Sequence, residues 1–381
     1  MRFFLPQWNV YFYFFVYSFS IGAFFPRLGD LQSQMNIGEG TLGLSLIGLP
    51  VGVQISLLFA DKVLRVLKFR IVVCFGIPIT GISLILAAIS NAPTTLFMCL
   101  VLGGLAVGVL EVAVNLEADR VEYSINKKIM NRSHSFWSLG FFVAGLAGAS
   151  LSQSGIDLLT HFCISFFVCS VLTICFSINY KPAPLRPNVN KESRLFVIPS
   201  IAIIALVIFT LPAMLVEGAG IDWSVILMRD VFDTPPFLNG LAFVFGAFAQ
   251  FIIRFFADGI VTRFGSEFVS RLSIISMCVG LLLVCSTISA YLALMGFALM
   301  GGGTAVIFPL AMSAAAQRSD RSAAVNVAAL AQISFFTFLV GPPILGFIAE
   351  NFGIRFSFGI CLPLLLVSWA FVYTVEEKPM A

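Results

Sequence analysis

The chain has little charge for its size. Only 11% of its 381 residues are Asp, Glu, Lys or Arg, whereas soluble domains carry about 25%. Hydrophobic residues make up 59% of the sequence and the mean hydropathy is +1.00. This composition excludes an ordinary soluble domain and indicates an integral membrane protein. The net charge of +3 is small and no basic tract contains interleaved aromatic residues, so nucleic acid is not an expected partner.

The sequence also lacks the patterns of metal, disulfide and nucleotide chemistry. Its eight cysteines have neither zinc-ligand nor disulfide-framework spacing, and it has only two histidines. It contains no Gly-x-x-x-x-Gly-Lys-Ser/Thr loop, so ATP is not expected to drive the protein directly. Neither a Gly-x-Ser-x-Gly elbow nor a His-Glu-x-x-His pair occurs. We therefore expect no cofactor, no bound metal and no enzymatic activity.

Long apolar runs are what the sequence has in abundance. A run of about twenty apolar residues is long enough to cross a bilayer as a helix. These runs predict an all-α membrane protein with twelve transmembrane helices, spans 1 to 12, near residues 8–29, 41–60, 71–90, 95–117, 135–153, 158–178, 196–220, 237–257, 270–288, 290–315, 324–348 and 356–375.

The basic residues lie mostly on one side of the predicted membrane. With the N-terminus inside, nineteen Lys and Arg residues fall on the cytoplasmic side, and only Arg27, Arg229 and Arg355 fall outside. Cytoplasmic loops of membrane proteins carry this excess. The distribution predicts cytoplasmic N- and C-termini, and it supports the number of spans because one missed helix would exchange the sides.

The chain reads as two related halves. Residues 179–195 are rich in Pro, Asn and charge, and they predict a cytoplasmic linker between six-helix bundles at 1–178 and 196–381. Short patterns recur at offsets near 197 residues, among them Ala60-Asp61 as Ala257-Asp258, and Gly103-Gly104 within Gly301–Gly303. Parallel six-helix repeats with a substrate path between them are typical of secondary transporters.

These features resemble the major facilitator superfamily over the whole chain. The loop signature of that family, Gly-x-x-x-Asp-Arg/Lys-x-Gly-Arg/Lys-Arg/Lys, is kept in part at Asp61-Lys62. Its two glycines are replaced by Leu57 and Leu64, and a second copy runs over Asp258–Gly265. The resemblance implies two pseudo-symmetric bundles, alternating access and a monomer. It also implies that Asp61 and Asp258 lock the halves together on the cytoplasmic side.

Three further stretches resemble the YbjJ-like branch, which is related to fucose-permease-type carriers. They are Glu217–Trp223, His134–Gly140 and Gly341–Glu350. This resemblance implies transport of a small-molecule substrate. A carrier of lipids or lysolipids, a drug efflux carrier and a non-transporting receptor or scaffold of the same fold remain alternatives. The buried acids favour a polar organic solute moved by alternating access.

Two acids within apolar spans are the first candidates for proton coupling. On span 4, Gly104, Gly108, Glu111, Asn115 and Asp119 share one helical face. An acid and an amide one turn apart can hold a hydroxyl group or a proton. A structural acid bonded to a neighbouring helix is the alternative for Glu111.

Span 7 contains the second acid. Glu217 precedes Gly218-Ala219-Gly220, and these glycines predict a weakened helix with free backbone groups beside a cavity. Glu217 is therefore a second candidate for the proton carrier or for a substrate ligand. Asp222 is predicted as a gate, a substrate contact or a solvated acid.

Arg27 lies at the outer end of span 1, at a depth similar to that of Glu217 and Asp222. A closed outer gate could pair Arg27 with one of these acids, and a snorkelling arginine is the alternative. The remaining substrate candidates are polar or aromatic residues: Asn239, Gln250, Asn326, Trp137 and Trp223. Interhelical hydrogen bonding is the alternative for the three amides, a packed aromatic for Trp137 and an interface anchor for Trp223.

The gating candidates lie at the cytoplasmic ends of the spans. Asp61 could meet Arg70, and Asp258 could meet Arg254 or Arg263. The expected partners are a small-molecule substrate, protons and the lipid bilayer, and the expected location is the inner or plasma membrane. The substrate, the direction of transport and the coupling ion are not encoded in any pattern of the sequence that we can interpret.

Overall fold

The computed structural model describes residues 6–184 and 198–376, without the side chains of Asp61, Ala323 and Ala324. All regular structure in these residues is helical. The predicted linker from 185 onward lies outside the described residues, so the boundaries of the two halves remain a prediction.

Eight α-helices make up the part of the chain before the linker. They are α1 (Pro6–Gly22), α2 (Leu28–Met35), α3 (Glu39–Leu46), α4 (Gly48–Val66), α5 (Phe69–Ala88), α6 (Pro93–Ile125), α7 (Met130–Gln153) and α8 (Leu158–Ser177). A 3₁₀ turn at Phe25–Arg27 joins α1 to α2, so these two helices form span 1. Helices α3 and α4 together form span 2.

Eight more helices follow the linker. They are α9 (Ile201–Phe232), α10 (Pro236–Phe264), α11 (Ser266–Ser286), α12 (Ala290–Thr304), α13 (Ile307–Ala316), α14 (Ala323–Phe352), α15 (Ile354–Gly359) and α16 (Cys361–Ala370). Helices α12 and α13 form span 10, and α15 and α16 form span 12.

Ten helices or helix pairs among the described residues are long and apolar enough to cross a membrane. The shorter apolar segment Ile354–Ala370 takes the place of span 12, and α1 with α2 takes the place of span 1. The predicted all-α membrane architecture is confirmed. The predicted weakening of span 7 is wrong, because α9 runs without interruption through Gly218 and Gly220.

Equivalent glycines hold the helices together within each half. A Cβ atom on Gly104 of α6 would lie 2.1 Å from the Leu49 carbonyl oxygen of α4, and one on Gly301 of α12 would lie 2.2 Å from the Gly246 carbonyl oxygen of α10. Both glycines come from the pattern that recurs 197 residues apart. The repetition in the sequence therefore corresponds to the same helix-on-helix contact in both halves.

The two halves meet along one continuous seam between α7 and α10. At one end the Gln153 side chain accepts a hydrogen bond from the Phe237 N–H at 3.1 Å. At the other end the Asn131 amide donates to the Asp258 carboxylate. We call the end with Asn131, where α1 starts and α8 ends, the basic face, because the nineteen Lys and Arg residues are predicted there. The other end is the opposite face.

Candidate functional site

A cluster of polar side chains lies midway along the seam. Glu217 of α9 accepts a hydrogen bond at Oε1 from Gln250 Nε2 at 2.7 Å, and Arg254 Nη2 lies 3.4 Å from the same oxygen. Gln250 and Arg254 are one turn apart on α10, which places both on the face that meets Glu217. The side chains of Glu217 and Arg254 are each only 15% exposed. The result is a nearly buried ion pair with an amide that orients the carboxylate.

The Arg254 side chain reaches across the seam into the other half. Its Nη1 donates to Ser138 Oγ of α7 at 3.1 Å, and its Nε donates to the Ala305 carbonyl at 3.2 Å. Ser138 Oγ also lies 3.3 Å from Gln250 Oε1. A single guanidinium therefore contacts both halves of the protein while it neutralises the buried carboxylate.

The second acid lies in the first half. Glu111 of α6 accepts a hydrogen bond at Oε1 from Asn115 Nδ2 at 2.8 Å, and the Tyr17 side chain of α1 lies beside the same carboxyl group. Asn115 Oδ1 lies 3.1 Å from His134 Nε2 of α7. Arg254 lies within electrostatic range of the His134 ring. Glu111 and Glu217 thus lie at the two ends of a row of polar groups, the central chain, in which hydrogen bonds connect Glu111 to His134 and Glu217 to Arg254, and the step from His134 to Arg254 is electrostatic.

A small pocket adjoins this chain on the side of α9, α10 and α12. Its volume is about 40 Å³, and Glu217, Gln250 and Thr304 supply its polar groups. One water molecule needs roughly 10–15 Å³ by the same measure. The pocket as it stands has room for a few water molecules rather than for an organic solute. A Cβ atom on Gly220 would meet no atom within 4 Å, so the wall formed by α9 is loosely packed.

Aromatic side chains form the wall of the seam on the side of the opposite face. The rings of Phe25, Phe141 and Phe243 lie within 5.9 Å of one another, and the Trp137 ring stacks on Phe141 at 4.1 Å. These rings come from α7, α10 and the turn after α1. They close the polar chain off from the opposite face with apolar surface.

The opposite face is closed by direct contact between α3 and α14. Glu350 Oε2 of α14 accepts a hydrogen bond from the Gly40 N–H at 2.7 Å. Cβ atoms at Gly38 and Gly40 would lie 2.6–2.8 Å from the Glu350 carboxylate, and one at Gly43 would lie 2.5 Å from the Pro342 carbonyl oxygen. The two helices approach this closely because glycine has no side chain.

Arg229 makes a second contact between the halves at the same face. It donates to the Gly29 carbonyl at 2.8 Å, to Gln32 Oε1 at 2.7 Å and to Ser33 Oγ at 3.2 Å, all on α2. An arginine therefore does connect the halves at this face, and it is Arg229 rather than the predicted Arg27.

The predicted pairing of Arg27 with Glu217 or Asp222 is wrong for this structure. The Arg27 side chain is buried and bonds to Asp30, to the Ile156 carbonyl at 2.8 Å and to His161 Nδ1 at 3.3 Å. All these groups belong to its own half. The turn at Phe25–Arg27 points the side chain toward the loop between α7 and α8, which depth along the helix could not reveal.

Two predicted substrate contacts lie away from the central chain. Asn239 Oδ1 accepts a hydrogen bond from Thr234 Oγ1 at 2.6 Å at the start of α10. Asn326 Nδ2 donates to Asp320 Oδ1 at 2.9 Å at the basic face. The Ser200 hydroxyl and the Asn326 amide lie against Asp320 and lower the pKa of its carboxyl group. Both asparagines bond near the ends of helices here, and neither lines the pocket at Glu217.

The two tryptophans are packed differently from each other. Trp223 is 1% exposed and its ring would lie 3.0 Å from a Cβ atom on Gly346, so it is neither an interface anchor nor a cavity wall. Trp137 is half-buried near the central chain, and its carbonyl accepts a hydrogen bond from Ser18 at 2.6 Å. Asp222 is half-buried, and none of the described residues forms a hydrogen bond or ion pair with it.

The gating residues at the basic face are only partly described. The Asp61 side chain lies outside the described residues, and Arg70 is exposed. Asp258 bonds to Asn131 of the other half, so the predicted contacts with Arg254 or Arg263 are wrong. Arg263 lies over the Phe264 ring at 5.2 Å. A link between the halves at Asp258 exists, but an asparagine provides it.

Sequence reasoning missed several residues that the structure brings to the seam. For His134, close to the start of α7, the sequence left open a pH-sensing role beside that of a solvated or capping residue, but it did not place the ring in the seam. Its i, i+4 relation to Ser138 was the available signal, since both then face the same neighbour. Tyr17, Thr304, Arg229 and Glu350 had no local pattern that set them apart. Among residues 6–184 and 198–376, no group of three His, Cys, Asp or Glu side chains is arranged to bind a metal ion.

The comparison with known proteins decides the family. A sequence model of the Major Facilitator Superfamily matches residues 10–336 and 200–381. The chain belongs to the Major Facilitator Superfamily. As a superfamily member it is a multi-pass membrane transport protein and not an enzyme. The YbjJ-like branch remains a prediction.

Relatives of this superfamily member come from bacteria. An uncharacterized MFS-type transporter of Yersinia pestis is 25% identical over 94% of this chain and 92% of its own length. The uncharacterized transporter y4wD of Sinorhizobium fredii is 28% identical over 89% of this chain and 90% of its own length. The membrane protein MosC of Rhizobium meliloti is 24% identical over 91% of this chain and 84% of its own length.

Solved structures share the same fold. The nucleoside transporter NupG, in a mutant form, superposes with a TM-score of 0.76 at 15% identity over 97% of this chain and all of that one. A bacterial homologue of the human lysosomal transporter Spinster, in an inward-facing and occupied conformation, gives 0.69 at 13% identity over 98% of both chains. At these identities the likeness concerns the superfamily fold alone.

Proposed function

We propose that this protein is a secondary active transporter that moves a small polar organic solute by alternating access, coupled to protons. The observation that carries the proposal is the pair of buried acids at this seam, Glu111 linked through Asn115 to His134 in one half and Glu217 bonded to Gln250 in the other. Charged and polar groups at this depth are costly, and they usually mark a solute or ion path. A structural role alone would not require an acid in each half at the same seam.

The surroundings of the two acids suggest different roles for them. Glu217 forms an ion pair with Arg254, so protonation of Glu217 would break that ion pair. Among the described residues, the hydrogen-bonding neighbours of Glu111 are the neutral side chains of Asn115 and Tyr17. Glu111 can therefore take and release a proton without breaking an ion pair. We assign proton coupling to Glu111, and solute binding to Glu217, Gln250 and Arg254.

The contacts between the halves suggest the direction in which this conformation opens. At the opposite face α3 and α14 touch through glycine, whereas α4 and α14 make few contacts toward the basic face. The excess of Lys and Arg assigns the basic face to the cytoplasm. This conformation is then inward-facing, with both termini cytoplasmic, in a monomer in the plasma membrane. The pocket at Glu217 would enlarge when solute binds.

The first experiment identifies the solute. Purified protein in detergent is screened by thermal shift against a metabolite library at two pH values, with nucleosides included because one structural neighbour is named a nucleoside transporter. A compound that binds the folded state raises the melting temperature. Uptake of a radiolabelled hit into proteoliposomes is then measured with and without an imposed pH gradient.

Matched variants then assign the residues. Glu111→Gln should abolish the stimulation of uptake by the pH gradient and keep the thermal shift, whereas Glu217→Gln should lose the thermal shift. Glu267→Gln removes an acid that is about one-third exposed near the basic face and pairs with Arg271, so it is the control and should behave as wild type. If both central variants behave like this control, the proposal fails. If no compound is taken up by the wild-type protein under any gradient, a non-transporting receptor of the same fold becomes the better explanation.

A further inference from the structure

His134 is placed between the two acids. Its Nε2 lies 3.1 Å from Asn115 Oδ1 in one direction, and the charge of Arg254 on α10 acts on the ring from the other half. Phe14 of α1 packs edge-on against the imidazole, with ring centroids 5.2 Å apart. Contacts from α6 and α1 therefore hold the ring, and Arg254 on α10 adds an electrostatic influence from the other half.

The hydrogen bonds of Asn115 determine which nitrogen of His134 carries a proton. Asn115 Nδ2 donates to both the Glu111 Oε1 atom and the Glu111 carbonyl, each at 2.8 Å. The amide can make these two bonds only with its nitrogen toward Glu111, so its oxygen faces His134. An oxygen accepts, and His134 must therefore donate from Nε2. A neutral His134 is then the Nε2–H tautomer.

This arrangement depends on the charge of Glu111. A carboxylate at Glu111 accepts from Asn115 and holds the amide in the orientation just described. A protonated Glu111 brings a hydrogen-bond donor of its own, which meets the Asn115 Oδ1 atom better than its Nδ2 atom. Rotation of the amide would then turn Nδ2 toward His134, and the imidazole could no longer donate from Nε2.

Beyond His134 lies Arg254, the residue whose hydrogen bonds join the two halves. Arg254 bonds to Ser138, one turn along α7 from His134, and to Glu217. A change in the proton position or tilt of the imidazole alters the electrostatic field at Arg254. The charged and titratable groups around His134 are thus Glu111 on α6, Tyr17 on α1, Arg254 on α10 and, behind Arg254, Glu217 on α9.

We propose that Asn115 and His134 form a bridge by which the charge state of Glu111 in one half controls the contacts of Arg254 in the other. His134 is a positioning residue in this role, since it acts through Arg254. The inference rests on the proposed proton binding at Glu111 and names its regulatory link to the solute site.

The test follows the separation of the halves and needs no solute. Spin labels are placed at Val66 and Gln317 at the basic face, both exposed and in different halves, in a background without the eight native cysteines. Distances are measured by pulsed electron resonance in nanodiscs at several pH values. The wild-type distribution should change with pH, and Glu111→Gln should lose that change.

Two His134 variants separate positioning from packing. His134→Phe keeps a ring against Phe14 but has no donor, so it should lose the pH response just as Glu111→Gln does. His134→Gln carries an N–H donor at similar reach, and it should keep most of the response. A melting temperature close to that of wild type shows that each variant is folded.

The results distinguish this bridge from the proposed function. If His134→Phe keeps the wild-type pH response, the bridge is wrong while Glu111 still binds the proton. If His134→Gln behaves like His134→Phe, donation from this position is not what matters, and the bridge is again overturned. If wild type shows no pH response, proton binding at Glu111 fails and the bridge fails with it. If a compound found by thermal shift is then taken up without any dependence on protons, the protein is still a transporter, but the proposed coupling to protons is wrong.

Discussion

The two helices of the second span use the same residue type for different contacts. In α3, at the opposite face, Gly40 and Gly43 face α14 in the other half. At the start of α4, in the middle of the span, Gly48 and Gly52 face the Phe97 and Val101 carbonyl oxygens of α6 in their own half. The change of partner occurs at the break between the helices, after Leu46. Glycine in α3 lets the halves approach each other, and glycine in α4 allows close packing within one half.

This difference explains how a single span can belong to a rigid bundle and to a contact between bundles. A packed helix pair such as α4 and α6 has no room to adjust, because protein interiors are close-packed. The contact of α3 with α14 is equally close, yet few further contacts of α4 with α14 support it. We expect substitutions in α3 to change the relative position of the halves, and substitutions in α4 to change stability.

The largest effect is expected from Gly43→Ala. The new Cβ would lie 2.5 Å from the Pro342 carbonyl oxygen and 3.0 Å from Pro343 Cα, and neither backbone atom can move freely. Overpacking of this kind costs about 1–3 kcal/mol. The opposite face should open, and the distance between spin labels at Asn91 and Asn351 should increase. Gly259→Ala is the control, since its Cβ would meet no atom within 4 Å. An unchanged distance in Gly43→Ala would show that this contact does not hold the halves.

Arg229→Gln should have the next largest effect. It removes three hydrogen bonds to α2, and a hydrogen bond to a charged group contributes about 1.5–3 kcal/mol when buried. The Arg229 side chain is 30% exposed, so solvent will reduce the loss. We expect a partial increase in the same label distance. Arg263→Gln, at the basic face, is the control and should change nothing at the opposite face. Equal responses in the two variants would contradict the assignment.

Glu350→Gln should have a smaller effect on the same distance. The amide oxygen can still accept from the Gly40 N–H, but the amide has no negative charge to interact favourably with the start of α3. That charge contributes about 0.3–1 kcal/mol at an exposed helix end. The loss should shrink at high salt, where such interactions are screened. A Glu350→Gln effect as large as that of Gly43→Ala would mean that the carboxylate, and not the close backbone contact, closes the face.

Asp157→Ala should have the smallest effect and should leave the halves in place. Asp157 accepts from the Thr160 N–H at 2.9 Å at the start of α8, within one half. This bond lowers the pKa of the Asp157 carboxyl group. A lowered pKa means that the stabilisation is present above the pKa of the unfolded chain and is lost as the pH falls through the folded value.

The melting temperature tests this within-half contact. At neutral pH it should fall slightly in Asp157→Ala and stay close to wild type in Asp157→Asn, because asparagine caps a helix about as well as aspartate. Toward pH 3 the wild type should lose this advantage, and Asp157→Asn should keep it. A change in the Asn91–Asn351 label distance in either variant would show that contacts within a half also set the separation of the halves.

Much of the central chain could be anticipated residue by residue. Glu111 and Asn115, like Gln250 and Arg254, are one turn apart on apolar helices, and this spacing alone places each pair on one face. Helical spacing cannot show which neighbouring helix each of these faces contacts. Arg254 looked like a residue of the basic face because it is close to Asp258 in sequence, yet its long side chain extends away from that face to Glu217.

The contacts at the opposite face could be predicted from the sequence even less. No pattern in the sequence singles out Gly38, Gly40 and Gly43, and Glu350 stands out only as the end of the stretch Gly341–Glu350. Their significance appears only when α3 and α14, about 300 residues apart in sequence, come together. The sequence suggested Arg27 for a contact between the halves, and the direction of the chain after α1 turned it toward its own half, whereas Arg229 reaches α2.

The amino-acid sequence by itself determined that the protein is a helical membrane protein of duplicated halves, because apolar run length, the side on which Lys and Arg fall and a recurring glycine pattern are all local properties. Only the tertiary structure decided which buried groups meet. The reason is that a costly polar side chain in an apolar setting must find a partner, and many of the partners here lie on other helices, several of them in the other half of the chain.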